Sequence, residues 1–248
     1  MSSEGLVLIT RPAPEAAATV AALAAMGREG LAAPLLAIEP VPASLPPPGE
    51  IQAVIVGSIN AVRHLPARYR RLPLLAVGDA TAEAATARGF TAVSSAKGDA
   101  RDLAALASRL CDPGGAPLLL ATARGAGRPL AVDLRGRGFR VHRRVTYRVV
   151  AQPELGKAAS ALREGRVTAA LFFSRSAGRV FARVARALRL THTLPGITAI
   201  AISPVVAATL GQYGFRAVLT ASRPDQESML ALLGRDAGGM RTRRGGPR

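Results

Sequence analysis

The sequence predicts an α/β protein of two Rossmann-like (flavodoxin-like) lobes with parallel sheets, one lobe inserted into the other and joined to it by a two-stranded β ribbon. Two internal repeats predict the duplication. The strand–turn–helix segment around Ser58 recurs around Ser174, 116 residues later, and the segment around Gly78 recurs around Ser203, 125 residues later. Short apolar strands also alternate with helical segments, which is typical of a parallel sheet covered by helices on both faces.

The N-terminal part of the chain predicts a buried strand over 6–10, an Ala-rich helix over 15–26 and an apolar stretch over 34–41. The proline cluster at 42–48 has the composition of a linker. The middle of the chain then predicts four strand–helix pairs. Their strands are 54–57, 74–77, 92–94 and 118–121, and their helices start near 60, cover 80–88 and 100–110, and lie around 130–135.

The C-terminal part contains one strand–helix unit fewer than the middle. A long alternating strand over 140–150 precedes it, and this alternation predicts a half-exposed strand. The unit that the C-terminal part lacks resembles the N-terminal strand, which is followed by Arg11. The two ends of the chain are therefore expected to fold together. The elements predicted for the C-terminal part are helix 155–163, strands 169–173, 198–202 and 217–220, and helix 226–233.

This count predicts a discontinuous domain interrupted by an inserted one. The two places where the chain crosses between them are apolar and strand-like, so we expect them to pair as a ribbon. The predicted parts are a domain of residues 1–37 plus 152–234, an inserted domain of 41–143, ribbon strands 36–41 and 143–151, and a disordered basic tail at 235–248.

Composition excludes several classes of protein. A single cysteine, Cys111, excludes an intramolecular disulfide and a cysteine-based zinc cluster. The three histidines have no metal-ligand spacing, so no metal site is expected. The N-terminus has no basic region of the secretory type, which predicts a cytoplasmic protein. The uncharged segment 190–215 is interrupted by prolines and glycines, so no membrane span is expected.

The formal net charge of +17 has three interpretations. It fits nucleic-acid binding, attraction of a polyanionic small molecule, or an arginine bias of the genome, since only Lys97 and Lys157 are lysines. An aromatic content of 4% leaves few platforms for base stacking, which disfavours nucleic acid. The glycines at 125–127 do not form a GxGxxG loop after a strand, so nucleotide binding has weak support.

Candidate binding residues follow the carboxyl ends of the predicted strands, where helix N-termini present free N–H groups to anions. Serine and asparagine at such positions also serve as helix N-caps, and that alternative stays open for each of them. Tyr147 lies in the long alternating strand, where its phenol can donate a proton or simply pack. The candidates at strand ends are Arg11, Ser58, Asn60, Ala61, Ser174, Ser176, Ser203 and Val205.

Six short motifs in order resemble the uroporphyrinogen-III synthase family over nearly the whole chain. They are Leu8-Ile9-Thr10-Arg11-Pro12, Ser58-Ile59-Asn60-Ala61-Val62-Arg63, Ala76-Val77-Gly78-Asp79-Ala80-Thr81-Ala82, Gly98-Asp99-Ala100-Arg101-Asp102-Leu103, Val145-Thr146-Tyr147-Arg148 and Phe172-Phe173-Ser174-Arg175-Ser176-Ala177.

The resemblance implies a cofactor-free enzyme of tetrapyrrole biosynthesis, which serves haem, cobalamin and chlorophyll. Its substrate would be the linear tetrapyrrole hydroxymethylbilane, with eight carboxylates, received from hydroxymethylbilane synthase. The enzyme would close the ring with loss of water and inversion of the last ring through a spiro intermediate. Tyr147 matches the family's tyrosine, which assists loss of the hydroxyl. A monomer is expected.

Two turns depart from the family's pattern. Gly57 stands where the family commonly has threonine, and Val205 and Val206 stand where it has hydroxyl side chains in a Gly-Pro-Thr-Thr-like turn. Backbone N–H contacts to the substrate would survive these changes, whereas contacts through the missing hydroxyls would not. The alternative hypothesis is therefore a non-catalytic or weakly active paralogue that binds a tetrapyrrole or another anion.

Overall fold

The structure, a computed structural model, describes residues 5–233 and divides the chain into two compact units. Unit 1 contains the residues up to Ala37 and those from Ala151 onward, and unit 2 is the continuous stretch Ile38–Val150. The predicted basic tail at 235–248 lies outside the described residues. Within residues 5–233, no helix is both long enough and apolar enough to cross a lipid bilayer.

Unit 1 is a five-stranded parallel sheet with helices on both faces, in the order β11-β10-β9-β1-β2. Strand β1 alternates between the faces, since Leu8 packs in one core cluster and Ile9 in the other. Its elements are β1 (Leu6–Ile9), α1 (Ala13–Ala25), β2 (Gly30–Ala32), α6 (Lys157–Arg163), β9 (Val167–Phe172), α7 (Arg175–Ala187), β10 (Thr198–Ala201), α8 (Pro204–Leu210), β11 (Ala217–Thr220) and α9 (Gln226–Leu230).

Unit 2 is a six-stranded sheet in the order β3-β8-β7-β4-β5-β6. The five strands from β6 to β8 are parallel. Matched through the internal repeat, the order β6-β5-β4-β7-β8 corresponds to the order β11-β10-β9-β1-β2 of unit 1. Its elements are β3 (Leu36–Pro40), β4 (Ala53–Val56), α2 (Ile59–Arg63), β5 (Pro73–Ala76), α3 (Asp79–Ala87), β6 (Ala92–Ser95), α4 (Ala100–Leu110), β7 (Leu118–Ala123), α5 (Arg128–Gly136) and β8 (Val141–Ala151).

Strands β3 and β8 form the ribbon and are antiparallel. The N–H of Gln152 donates to the carbonyl of Leu35 (2.8 Å), whereas the N–H of Val41 donates to the carbonyl of Thr146 (3.0 Å), so the two chains run in opposite directions. An exposed ion pair joins Arg148 to Glu39 at 2.7 Å. The predicted fold class of two parallel α/β lobes is confirmed.

Two strand assignments differ from the sequence prediction. Strand β2 was not predicted, because three residues are too few to carry a periodic pattern. Strand β8 was expected only in the ribbon, but it also pairs in parallel with β7 from Val141 to Tyr147. Both sheets therefore hold five parallel strands, and the N-terminal part supplies two strands to unit 1 instead of one.

Helix α4 begins with a capping box that satisfies its own N-terminal donors. Asp99 accepts from the N–H groups of Arg101 (2.7 Å) and Asp102 (3.3 Å), and the Asp102 carboxylate accepts from the Asp99 N–H (2.8 Å). The two N–H donors hold the pKa of the Asp99 carboxyl below its ordinary value. The start of α4 is thus closed to an external anion.

We expect Asp99→Ala to lower the free energy of unfolding at neutral pH, with a loss that shrinks in acid. A depressed folded-state pKa stabilises the fold above the unfolded-state pKa of the carboxyl, and this contribution disappears as the pH falls through the folded-state value. Urea unfolding of both proteins from pH 7 downward measures the difference. A difference that stays constant with pH would assign the effect to packing instead.

Candidate functional site

A pocket of about 280 Å³ lies in unit 2, at the carboxyl ends of β4, β7 and β8. Helices α4 and α5 contribute their first turns to its walls. The walls are mainly apolar, with three hydroxyl groups from different elements. The apolar side chains include Val77, Leu103, Leu120 and Leu130, and the hydroxyls belong to Ser58, Thr122 and Tyr147.

Ser58 and Tyr147 meet in this pocket through a hydrogen bond of 2.7 Å between their hydroxyl oxygens. The Tyr147 side chain is only 6% exposed. A register shift between β7 and β8 places Tyr147 opposite Ala123, so the strand irregularity aims the phenol at the start of α2. Two residues 89 positions apart in the chain thus form one polar pair.

Ser58 is also the N-cap of α2, because its Oγ accepts from the Ala61 N–H at 3.1 Å. The capping alternative for Ser58 is therefore correct, and it coexists with the bond to Tyr147. The Ala61 N–H is engaged in the cap and Ala61 is buried, whereas the N–H groups of Ile59 and Asn60 have no acceptor within the helix. Sequence reasoning missed Ile59, because a backbone donor leaves no signal in the side chain.

The side chain of Asn60 is turned back onto its own helix. Its Oδ1 accepts from Arg63 Nη1 at 3.3 Å, and its backbone carbonyl lies 2.7 Å from His64 Nδ1. The His64 ring stacks on Tyr147 with a centroid distance of 5.5 Å and an interplanar angle of 18°. The sequence gives no sign of this contact, because His64 and Tyr147 are far apart in the chain.

Gly127 opens α5 in a conformation that only glycine adopts without strain, with φ of 76°. A Cβ atom at this position would lie 2.7 Å from Thr122 Oγ1, so the close approach of the loop to β7 also needs glycine. No side chain caps α5, which leaves its first N–H groups facing the pocket end of the sheet. Gly127 therefore forms the start of a helix and is not part of a nucleotide-binding loop.

In unit 1 the same serine cap occurs at the start of α7, but no tyrosine among residues 5–233 forms a hydrogen bond with it. Ser174 Oγ accepts from the Ala177 N–H at 3.1 Å, as Ser58 does in unit 2. Ser176 is exposed in the first turn of α7. The N–H groups of Arg175 and Ser176 have no acceptor within the helix.

Ser203 occupies the N-cap position of α8, but its side chain makes no cap hydrogen bond. The next residue is Pro204, which has no N–H, so the first free donor of this turn is the N–H of Val205. The Val205 side chain is 57% exposed and Val206 is buried. The Ser203 hydroxyl and the Val205 N–H therefore remain for an external group.

Arg11 is held at the carboxyl end of β1 by three contacts. Its guanidinium lies 4.1 Å from the centroid of the Phe173 ring, and Nη1 donates to Gln226 Oε1 (3.0 Å) and Thr19 Oγ1 (3.3 Å). These contacts link Arg11 to α1 and α9, and its predicted role in substrate binding stays a prediction. The predicted candidates thus divide between the two units, with Ser58, Asn60, Ala61 and Tyr147 together in unit 2.

Among residues 5–233, no three His, Cys, Asp or Glu side chains lie close enough together to bind one metal ion. Cys111 is a free, half-buried cysteine, and burial raises the pKa of its thiol. The site in unit 2 is therefore built from hydroxyls, backbone N–H groups and aromatic rings.

Two parallel sheets with the same strand order, each with serine-capped helix starts at its carboxyl edge, define a duplicated two-lobed α/β protein of the type that binds ligands at strand ends. The family model described as uroporphyrinogen-III synthase HemD matches residues 17–231. The chain belongs to the uroporphyrinogen-III synthase family, whose members are enzymes that catalyse a cyclising lyase reaction.

Solved structures agree with this fold. A uroporphyrinogen-III synthetase from Helicobacter pylori is 19% identical with a TM-score of 0.62, covering 92% of this chain and 97% of that one. A mutant uroporphyrinogen III synthase from the extremely thermophilic bacterium Thermus thermophilus is 22% identical with a TM-score of 0.55, covering 94% of this chain and 98% of that one. No curated protein sequence matches the chain.

Proposed function

We propose that this enzyme cyclises hydroxymethylbilane to uroporphyrinogen III, with Tyr147 donating the proton that removes the terminal hydroxyl as water. The activity is that of the family to which the chain belongs. The observation that supports the role of Tyr147 is its 2.7 Å hydrogen bond to Ser58 at the wall of the pocket.

The hydrogen bonds of Ser58 favour one direction of proton transfer. Its oxygen already accepts from the Ala61 N–H, and its own hydrogen is then free to be donated to the Tyr147 oxygen. In that arrangement the phenolic proton of Tyr147 points elsewhere and can pass to the leaving hydroxyl. The oxygen left behind retains the hydrogen bond from Ser58, which stabilises the negative charge that develops on it.

The size of the pocket favours one ring of the substrate. Ligand pockets for drug-sized molecules span about 300–1,000 Å³, and this pocket of about 280 Å³ lies just below that range. Its apolar walls suit the face of a pyrrole, and Tyr147 lies at its edge. We therefore propose that the pocket holds the terminal ring that bears the leaving hydroxyl, while the ring at the other end of the substrate is inverted as the macrocycle closes.

Backbone donors are proposed to bind the acetate and propionate arms. The starts of α2, α5, α7 and α8 each present N–H groups without an acceptor in their own helix, and an N-terminal dipole favours a carboxylate there. The start of α4 is excluded, because its capping box occupies two of the donors and places the carboxylates of Asp99 and Asp102 there, which repel an anion. The proposed contacts of unit 1 are Ser174, Ser176, Ser203 and the N–H of Val205. Valine in this turn therefore removes the family's hydroxyl contacts but keeps the backbone contact.

A stripe of exposed arginines on α7 is proposed to attract this polyanionic substrate. Arg175, Arg179, Arg183 and Arg186 lie along its polar face, and none forms an ion pair with a described residue. Like charges three or four residues apart destabilise a helix by about 0.2–0.5 kcal/mol per pair, so the stripe does not stabilise the fold. Steering of an anion towards the Ser174 turn explains it.

We expect the triple variant Arg179→Gln, Arg183→Gln, Arg186→Gln to lower kcat/KM about tenfold at low salt, because steering raises association rates by about 10–10³-fold. The loss should fade as ionic strength rises, with kcat unchanged. Initial rates measured from about 10 mM to about 500 mM salt cover the range in which screening becomes complete.

The matched control removes the same charge from exposed arginines of unit 2 by Arg71→Gln, Arg88→Gln, Arg109→Gln. A smaller loss in the control supports steering by α7. Equal losses in both triple variants would mean that only net charge matters, and no loss in either would contradict steering.

The decisive test of the function is the isomer produced. Purified protein is incubated with hydroxymethylbilane generated enzymatically, the products are oxidised to porphyrins, and the type I and type III isomers are separated. We expect the type III isomer to dominate. A different result would contradict the enzyme function. If the protein binds hydroxymethylbilane but only the type I isomer forms, at the uncatalysed rate, the chain is a binding paralogue.

We further propose a cytoplasmic monomer that receives its substrate from hydroxymethylbilane synthase. The support is chemical, since free hydroxymethylbilane closes spontaneously without inversion and a short transfer protects it. Sedimentation at the mass of one 25.6 kDa chain supports the monomer. A type III yield that stays unchanged when the two enzymes are diluted together would contradict a direct handover.

A further inference from the structure

The short helix α2 contacts Tyr147 at both of its ends. At the N-terminal end the Ser58 hydroxyl lies 2.7 Å from the phenol oxygen. At the C-terminal end His64, the C-cap residue, stacks on the phenol ring at 5.5 Å with an interplanar angle of 18°. Helix α2 is itself anchored, because Ala61 and Val62 are buried in the core of unit 2.

The orientation of His64 is fixed by its own hydrogen bond. Its Nδ1 lies 2.7 Å from the carbonyl oxygen of Asn60, and a carbonyl only accepts, so Nδ1 carries the hydrogen and donates it. This bond holds the imidazole plane against rotation about its Cβ–Cγ axis. The stacked surface that faces Tyr147 is therefore a rigid one.

The two contacts restrain different motions of Tyr147. The bond to Ser58 fixes the position of the phenol oxygen, which lies on the axis of ring rotation and stays in place when the ring turns. The terminal torsion of tyrosine is broad, so the oxygen alone does not set the ring plane. The stack with His64 does set it. Conjugation keeps a phenolic O–H in the plane of its ring, so the ring plane determines where the proton points.

We infer that His64 is a positioning residue that orients the phenolic proton of Tyr147 towards the pocket. The inference rests on the proposed role of Tyr147 in removing the substrate hydroxyl. His64 itself contacts no reacting atom in this scheme. Its effect is on the rate of the proton-transfer step, so kcat changes and KM does not.

The test compares His64→Leu, which removes the stacked ring, with His64→Phe, which keeps a ring and loses the imidazole nitrogens. We expect His64→Leu to lower kcat about 10- to 100-fold with KM within about twofold, since small misplacements of a reacting group cost up to about 10²-fold. His64→Phe should recover part of this loss, because it keeps the stacked ring but loses the bond to Asn60 that holds the ring plane. A recovery by phenylalanine assigns the effect to stacking and not to proton exchange with imidazole.

A spectroscopic measurement reports on Tyr147 directly, because the chain has only three tyrosines. With 3-fluorotyrosine incorporated, the ¹⁹F NMR spectrum contains three signals, and Tyr147→Phe identifies one of them. The Tyr147 signal should shift and broaden in His64→Leu and stay near its original position in His64→Phe. The signals of Tyr69 and Tyr213 serve as the control that each variant is folded.

The possible outcomes are distinguishable from failure of the proposed function. Unchanged kcat in Tyr147→Phe overturns the role of Tyr147 and this inference with it. A large loss in Tyr147→Phe, together with unchanged kcat in His64→Leu, overturns only the role of His64. Equal losses in His64→Leu and His64→Phe also overturn it. If His64→Leu does not fold, His64→Gln removes the stack with a polar residue and decides the same point.

Discussion

Tyr147→Phe is expected to lower kcat by at least about 10²-fold while leaving the fold intact, because a positioned general acid contributes about 10²–10⁴-fold to a rate. The variant keeps the buried ring and its stack with His64 and loses only the hydroxyl that bonds to Ser58. Since the proposed substrate contacts are made by other groups, KM should change little. Product that does form should still be the type III isomer, because the proposed binding of the substrate in the pocket does not depend on the Tyr147 hydroxyl.

The expected loss of stability in Tyr147→Phe is small compared with the expected loss of kcat. Ser58 keeps its bond from the Ala61 N–H, so the loss of one hydrogen bond should cost about 0.5–1.5 kcal/mol. For a protein of this size that corresponds to a melting temperature lower by about 2–4 °C per kcal/mol. A melting curve and steady-state kinetics on the same preparation measure both effects.

Tyr213→Phe is the matched control, because Tyr213 lies in unit 1 and outside the pocket. It should retain the activity of the unmodified enzyme. Full activity in a well-folded Tyr147→Phe would show that Tyr147 packs in the sheet and takes no part in the reaction. The proton for the leaving hydroxyl would then have to come from another group.

The largest effect on stability is expected from Phe172→Ala in unit 1. The ring of Phe172 is fully buried, and its centroid lies 5.4 Å from that of Phe181 and 5.7 Å from that of Phe215. Removing a buried phenylalanine ring costs about 3–5 kcal/mol, because transfer energy is lost and a cavity remains. The two edge-to-face contacts add to this, since such aromatic pairs are worth about 0.5–1.5 kcal/mol beyond burial.

A loss of this size is a large share of the total, since domains of ordinary size are stable by about 5–15 kcal/mol. Urea unfolding followed by circular dichroism measures it at neutral pH. The matched control is Val205→Ala, whose side chain is 57% exposed and which should stay within about 0.5 kcal/mol of the original. A loss below about 1.5 kcal/mol in Phe172→Ala would mean that the surrounding side chains collapse into the cavity.

The core strands were predictable because their signal is local. The runs Ala53–Val56 and Leu6–Ile9 are both short, wholly apolar and followed by turn residues, which is the pattern of a strand buried on both faces. Helix starts were predictable for the same reason. Asp99 and Ser58 precede their helices directly, and both are N-caps in the structure. The family was predictable from the order of six such motifs and is confirmed.

Pairing between distant segments was predictable only where a repeat exposed it. Strand β2 has three residues and no pattern of its own, and it joins the sheet because β1 offers an unpaired edge. Strand β8 was recognised as a strand from its alternation, but its parallel partner β7 was not, because alternation gives the exposed face and not the neighbour. The boundary of a strand in sequence therefore says little about the sheet it enters.

The sequence by itself determined the duplication, the order of the helices and of every strand except β2, the caps at helix starts and the family, because each depends on residues close together in the chain or on the repeat. Only the tertiary structure decided that Ser58, His64 and Tyr147 form one cluster. Tyr147 lies 89 residues beyond Ser58, and a strand irregularity together with parallel pairing brings their hydroxyls to 2.7 Å. No local pattern encodes that distance, since it is set by the pairing of β8 with β7 and of β7 with β4.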